Sequence, residues 1–440
     1  MLPILDQSTA AGRDELARVL AKLRGTSAFD SEASRTVAQI VADVRADGDA
    51  AVVRYMRQWT DASFTAQRIR VSEAELAAAE KGLDRKLRGA LATAIKQVRA
   101  YQKHIMPRAT RPVTIGGAEL GLRFTPVDSV GLAVPGGKAA YPSSVVMLAV
   151  PALVAGVPAD RISVVTPPPT RRGEEPAGNV SPLVLATCAM LGIRRVYRIG
   201  GAQAIAALAL GTQSVEPVDL IAGPGNVYVQ LAKAQLNGVV GTDNGFYGPS
   251  EIITLADASA DPRKVAADLI AQAEHDPGKC FLVAWSRCVI ERIIAQIEAQ
   301  KFDRARLEAI EAALANESAA VLVKTPAQAV EVANRIAAEH VNLAVKDPRA
   351  WLKRVRHGGE FFLGDGTPVA AGDYYAGPSH CLPTGTTARF ASGVSVYTFL
   401  KRSGTVQYKR TMPAAAIDAI ARLAEAEGLD GHAASVRARR

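Results

Sequence analysis

Apolar positions along this chain recur at two periods, and the change between them divides it. Up to about residue 110 the spacing is helical. Residues 13–23, 33–56 and 73–101 each place apolar side chains three and four apart, the signature of helices with one buried stripe. At Leu122-Arg-Phe-Thr-Pro126 the character changes. Short apolar runs at 129–134, 161–165, 195–199 and 218–221 then alternate with helical stretches at 145–155, 182–191, 204–210 and 227–236. Strands that are apolar throughout and separated by helices predict an open parallel sheet covered on both faces. The alternation resumes with strands at 252–255, 281–284, 319–323, 341–345 and 361–363, which predicts a second α/β unit with its own sheet. Residues 385–411 are polar and β-prone, and 414–427 form an amphipathic helix.

The first α/β unit carries glycine turns where strands pass into helices: Pro135-Gly-Gly-Lys138, Gly200-Gly-Ala-Gln203 and Gly223-Pro-Gly-Asn226. Such turns lie at the carboxyl ends of parallel strands and present free N–H groups at helix N-termini, which suits a pyrophosphate. The GxGxxG dinucleotide fingerprint is absent, so tight packing turns explain the glycines equally well.

Composition narrows the classes. With 440 residues the chain exceeds one small core, and 48% hydrophobic with 22% charged residues fits a soluble globular protein. No apolar run has the length of a membrane span, and Met-Leu-Pro-Ile-Leu-Asp-Gln-Ser lacks the features of a signal peptide, so a cytoplasmic location is expected. Cys188, Cys280, Cys288 and Cys381 form no CxxC pair and receive no chemistry. The net charge of +9 fits attraction of an anionic ligand, and no nucleic-acid motif accompanies it.

Candidate chemistry gathers around the helix before His275. Asp261-Pro262 reads as its start, Val265, Leu269, Ile270 and Ala273 as its buried face, and Pro277-Gly278 as its stop. Gln272 and His275 are three apart and share one side of the helix end. A capping histidine beside a polar glutamine explains this pair as well as a ligand site does, since glutamine is an uncommon zinc ligand. The tripeptide Ala-Glu-His recurs at 338–340, again at a helix end. A carboxylate beside a histidine suits general acid–base work, and a structural role remains open. Gly372-Asp-Tyr-Tyr-Ala-Gly-Pro-Ser-His-Cys-Leu-Pro383 has no apolar periodicity, so something other than packing fixes it. His104 and His357 read as surface histidines.

Seven blocks in this order resemble the histidinol dehydrogenase family: Gly200-Gly-Ala-Gln-Ala-Ile-Ala206, Gly223-Pro-Gly-Asn226, Gly248-Pro-Ser-Glu251, Ala273-Glu-His-Asp-Pro277, Glu339-His340, the Gly372–Thr384 stretch and Glu427-Gly-Leu-Asp-Gly-His-Ala433. The resemblance spans about residues 30–437. It implies a zinc- and NAD-dependent homodimer that oxidises L-histidinol through L-histidinaldehyde to L-histidine. It further implies zinc held by Gln272, His275, Asp373 and His432. Ser250, His340, His380 and Glu427 would contact substrate alongside those ligands, and Gln203 and Asn226 would contact NAD. His340 would take the hydroxyl proton and Glu339 would activate a water. The expected fold is two Rossmann-like open-sheet domains, with a helical N-terminal segment (1–30) and a C-terminal dimerisation arm (385–440) that reaches the partner's site. The first domain would combine 31–122 with 246–384, and the second, NAD-binding, would be 123–245. Two positions depart from the family pattern: Ala133 stands for a tyrosine before the Pro-Gly-Gly turn, and Val369 for a glutamate four residues before Asp373. The second departure leaves a dehydrogenase of another small polar alcohol, such as a sulfonated diol, as the alternative.

Overall fold

The computed structural model describes residues 2–25, 31–136, 140–169, 178–243, 245–275, 278–409 and 411–440. Two parallel sheets form the frame. The first runs in the order Ile4–Asp6, Ala319–Leu322, Lys279–Ala284, Glu251–Ala256, His340–Ala344, Glu360–Leu363. The second runs Arg195–Tyr197, Ile162–Val165, Val130–Ala133, Leu220–Ala222, Gly241–Thr242. Each central strand is buried along its whole length, as expected of sheets with helices on both faces. Leu400–Gln407, Ala118–Pro126 and Val113–Ile115 make a separate antiparallel ribbon.

Glycine and caps cut the N-terminal helical region more finely than periodicity shows. Residues 33–56 form two helices, Glu32–Asp47 and Asp49–Trp59. Gly48 between them takes φ +57° and donates its N–H to Val44 O, a conformation that costs a Cβ-bearing residue. Residues 73–101 likewise divide, into Glu73–Lys81 and Arg85–His104. Ser72 with Glu75 forms a capping box for the former, and Asp84 caps the latter.

These helices do not join the six-stranded sheet, as the domain division above has it. Val37, Ile40, Val44, Val52 and Met56 share a core with Ile205, Leu208, Leu231 and Ala232, and Leu76 and Val98 pack with Val146, Leu148 and Val184. The cause lies in helix Gly201–Leu210, which is buried on nearly every side and therefore requires a further layer outside it. The N-terminal segment is no appendage either. Ile4–Asp6 pairs with Ala320–Leu322 at the sheet edge, and Leu16, Leu20 and Leu23 pack with Phe281 and Val321.

The tail is bound to its own chain over its first half. Val394, Val396 and Phe399 are core residues, and Leu400–Gln407 pairs with residues 119–126. Only Ala414–Ala426 and a further helix, Asp430–Arg437, stand apart, with a small cluster of their own around Ala421, Ala424 and Ala433.

Candidate functional site

The site is built where helices hand over to strands. In the six-stranded sheet Glu251 and Lys279 are register partners, as are His340 and Glu360, and all four begin their strands. The chemistry-bearing residues thus sit at the amino edge of this sheet. The glycine turns sit at the carboxyl edge of the other. Ser144, in the first turn of helix Pro142–Ala155, brings the two edges together: its Oγ lies 3.1 Å from His380 Nε2.

Helix Pro262–Ala273 begins as its sequence indicates, with Pro262 at the first position and Asp261 accepting from Arg263 N–H. Its expected stop at Pro277 lies outside the described residues. Gln272 is 3% exposed, and its side-chain Nε2 has no hydrogen-bond partner. His275 lies just past the helix, its backbone N–H donating to Gln272 O at 3.2 Å.

Helix Pro326–Ile336 ends at Ala337, a non-glycine residue at φ +48°. That left-handed residue turns the chain from helix into strand, placing Glu339 and His340 side by side. Glu339 Oε2 accepts from Ser250 Oγ at 2.5 Å and from Glu251 N–H at 2.9 Å. Burial drives the Glu339 pKa well above the carboxylate range, against the pull of those two bonds. His340 is 3% exposed, and neither ring nitrogen has a hydrogen-bond partner among the described residues. Its Nδ1 stands 3.7 Å from Glu339 Oε2 and its Nε2 3.8 Å from Asp373 Oδ1. Burial first, then His275 and His380, lowers its pKa to about 3, so the imidazole is neutral.

Asp373 lies on the short helix Ala370–Tyr374, and burial raises its pKa to about 6. His380 Nδ1 is 3.1 Å from the Asp373 carbonyl oxygen and 3.8 Å from Oδ1. Its pKa falls to about 4 through burial. Two further acids border the site. Glu251 Oε1 accepts from Gly385 N–H at 2.5 Å, and burial moves its pKa to about 7. Glu360 has an Oε2 without a donor, and burial followed by the Asp373 charge moves its pKa to about 8.

Ser250, Glu339, His340, Asp373 and His380 thus converge, with His275 near enough to act on both histidines and Gln272 one helical turn before it. Glu427 and His432 do not: both are exposed on the tail helices, and no hydrogen bond or ion pair among the described residues joins either to this group. At the glycine turns, Asn226 Oδ1 caps helix Val227–Leu236 by accepting from Tyr228 and Val229 N–H. Gln203 points inward, with Nε2 3.7 Å from Met56 Sδ and Oε1 without a donor. The turn at Gly223 is braced from below: Asp243 Oδ2 accepts its N–H at 2.7 Å, Lys233 Nζ donates to its carbonyl at 2.9 Å, and the two side chains form a buried ion pair. Gly137 and Lys138 of the remaining turn lie outside the described residues. Sequence reasoning missed Ser144 and Glu360. The only signal for Ser144 was a pair of serines opening an otherwise apolar helix, and Glu360 read as the polar edge of a strand.

Among the described residues, no three His, Cys, Asp or Glu side chains stand close enough to hold a metal. Gln272, whose amide has no partner among the described residues, lies one helical turn before His275, and Asp373 faces His340; these three are the candidate metal donors of this chain.

The histidinol dehydrogenase family model matches residues 23–440. Histidinol dehydrogenase of a Synechococcus species is 44% identical over 435 residues, covering 98% of this chain and 97% of the relative. The same enzyme of Cereibacter sphaeroides is 43% identical, covering 95% and 94%. The crystal structure of histidinol dehydrogenase from Elizabethkingia anophelis superposes with a TM-score of 0.89 at 29% identity, covering 100% of this chain and 98% of that one.

Proposed function

Since the chain belongs to the histidinol dehydrogenase family, we propose that it oxidises L-histidinol to L-histidine through L-histidinaldehyde, in two hydride transfers to NAD. The observation that carries this reading is His340: a buried, neutral imidazole without a hydrogen-bond partner, set between Glu339 and Asp373.

The roles follow from that placement. His340 accepts the hydroxyl proton as the carbinol hydrogen departs. Glu339, once ionised, accepts a proton from a water, its raised pKa making it a stronger base than a free carboxylate, and the resulting hydroxide adds to the aldehyde carbon. The hydrate then gives up the second hydride and becomes the carboxylate. Ser250 and the Glu251 N–H aim Glu339, and Ser144 with the Asp373 carbonyl aims His380 at the substrate. Zinc, held by Gln272, His275, Asp373 and a His432 from a second copy, would fix the substrate nitrogens and oppose the negative charge growing on oxygen. NAD, held at the glycine turns through Asn226 and Gln203, would be the hydride acceptor in both oxidations. The shared site makes the enzyme a homodimer. Exposed Ile420, Leu423 and Leu429 on the tail helices supply an apolar face for that contact. No helix among the described residues is long and apolar enough to cross a membrane, in keeping with a cytoplasmic enzyme of histidine biosynthesis.

The test is to offer the purified protein histidinol and other small polar alcohols, sulfonated diols included, with NAD and zinc. Two NADH per histidinol, with histidine as product, is expected. NADH from another alcohol but none from histidinol would end this reading.

A further inference from the structure

Glu360 is an acid that the reaction above does not use, yet it lies within the site. It is the register partner of His340 in the adjacent parallel strand, so the two side chains leave the sheet on the same face. Its Oε2 is shut off from solvent and has no donor among the described residues. Buried acceptors ordinarily find one. A Cβ added at Gly372, beside Asp373, would stand 2.8 Å from that oxygen and 2.8 Å from Phe362 Cζ. The Glu360 carboxyl and the Phe362 ring thus pack directly against the Gly372 backbone, beside Asp373, and leave no room for a side chain there. Phe362 follows Glu360 by two on the same strand face and lies 5.8 Å, ring to ring, from His340. Burial first, then the Glu360 charge, raises the Tyr101 pKa. Val369, where the family pattern calls for an acid, is buried with Phe362 and Leu269 in an apolar cluster and supplies no charge.

We propose that Glu360 is a substrate-recognition residue, its carboxyl oxygen Oε2 accepting a hydrogen bond from the imidazole N–H of the bound alcohol beside Phe362. The proposal rests on histidinol being the substrate, because an aromatic wall beside a lone acceptor suits a flat ring bearing an N–H. A carboxyl kept only for packing would tolerate the isosteric amide.

The experiment compares steady-state kinetics of the zinc-loaded wild type with Glu360→Gln, and with Glu360→Gln combined with Val369→Glu. Exchanging the carboxyl acceptor for a neutral amide should raise KM for histidinol about tenfold or more, with kcat changed much less. The added glutamate should lower KM again. Should Glu360→Gln fail to fold, Glu360→Asp replaces it, since a carboxylate drawn back by one methylene should also raise KM. KM within twofold of wild type in the folded variant, or an equal fall of kcat with KM unchanged, overturns the role of Glu360 while histidinol oxidation stands. A wild type that does not oxidise histidinol overturns both.

Discussion

Glu339 and His340 are neighbours in sequence but are proposed to work on different halves of the reaction, and the structure gives each a separate environment. His340 is held without a hydrogen bond to either nitrogen, whereas Glu339 is gripped by Ser250 and the Glu251 N–H. Glu339→Gln keeps the shape and one acceptor but removes the base. It should leave oxidation of histidinol to the aldehyde largely intact and slow oxidation of supplied histidinaldehyde about 100-fold or more. Single-turnover assays on each substrate check this, and equal losses on both would contradict the assignment. At this scale, the residues carried by local motifs were legible: Glu339 and His340 as a repeated Ala-Glu-His, Asp373 and His380 as polar groups in an unpatterned loop. Glu360 and Ser144 were not, because their significance comes from register and from contact between distant segments. His340 and Glu360 are partners only once two strands pair, and Ser144 meets His380 across 236 residues of sequence.

Among the elements, the strands were legible from their unbroken apolar runs, and where each helix breaks was less so. Periodicity continues through Gly48, and only the backbone conformation there separates two helices. The turn Gly223–Asn226 shows a further layer that pattern does not reveal. Lys233 and Asp243, both buried, brace it from below, and burial raises the Asp243 pKa against the pull of Lys233. Lys233→Met should leave that carboxylate without its partner and cost about 3–5 kcal/mol in urea unfolding. NAD affinity should weaken as well, because the turn loses the donor to its Gly223 carbonyl. Adding Asp243→Asn removes the uncompensated charge while keeping an acceptor for Gly223 N–H, so the double variant should recover part of the stability. A double variant less stable than Lys233→Met alone would show that the charge is not the cause.

On the scale of the whole molecule, class and sheet order of magnitude followed from the sequence, but the assignment of layers did not. An apolar helix declares that it needs cover without declaring which segment covers it. Residues 32–104 turn out to cover the five-stranded sheet. The same reasoning bears on the metal. The proposed ligands Gln272, His275 and Asp373 project from elements already held by the large cores around them, so zinc completes a surface rather than nucleating one. Chelation should abolish turnover and leave the far-ultraviolet circular dichroism spectrum essentially unchanged; global unfolding would mean that the metal is structural. The fourth ligand sets the final prediction. His432 and Glu427 are exposed on Asp430–Arg437 and at the end of Ala414–Ala426. The preceding segment is fastened to its own chain as far as Gln407. Reach beyond that point belongs to the two tail helices alone, and their uncovered Leu423 and Leu429 favour a second copy as the surface they meet. Asp373→Ala and His432→Ala should each be inactive as separate homodimers. After subunit exchange, a mixed dimer has one site with Asp373 from one chain and His432 from the other, both intact, so activity should rise toward a quarter of the wild-type value for random mixing. If His432 serves its own chain, both sites of every mixed dimer remain broken and no activity appears at any mixing ratio.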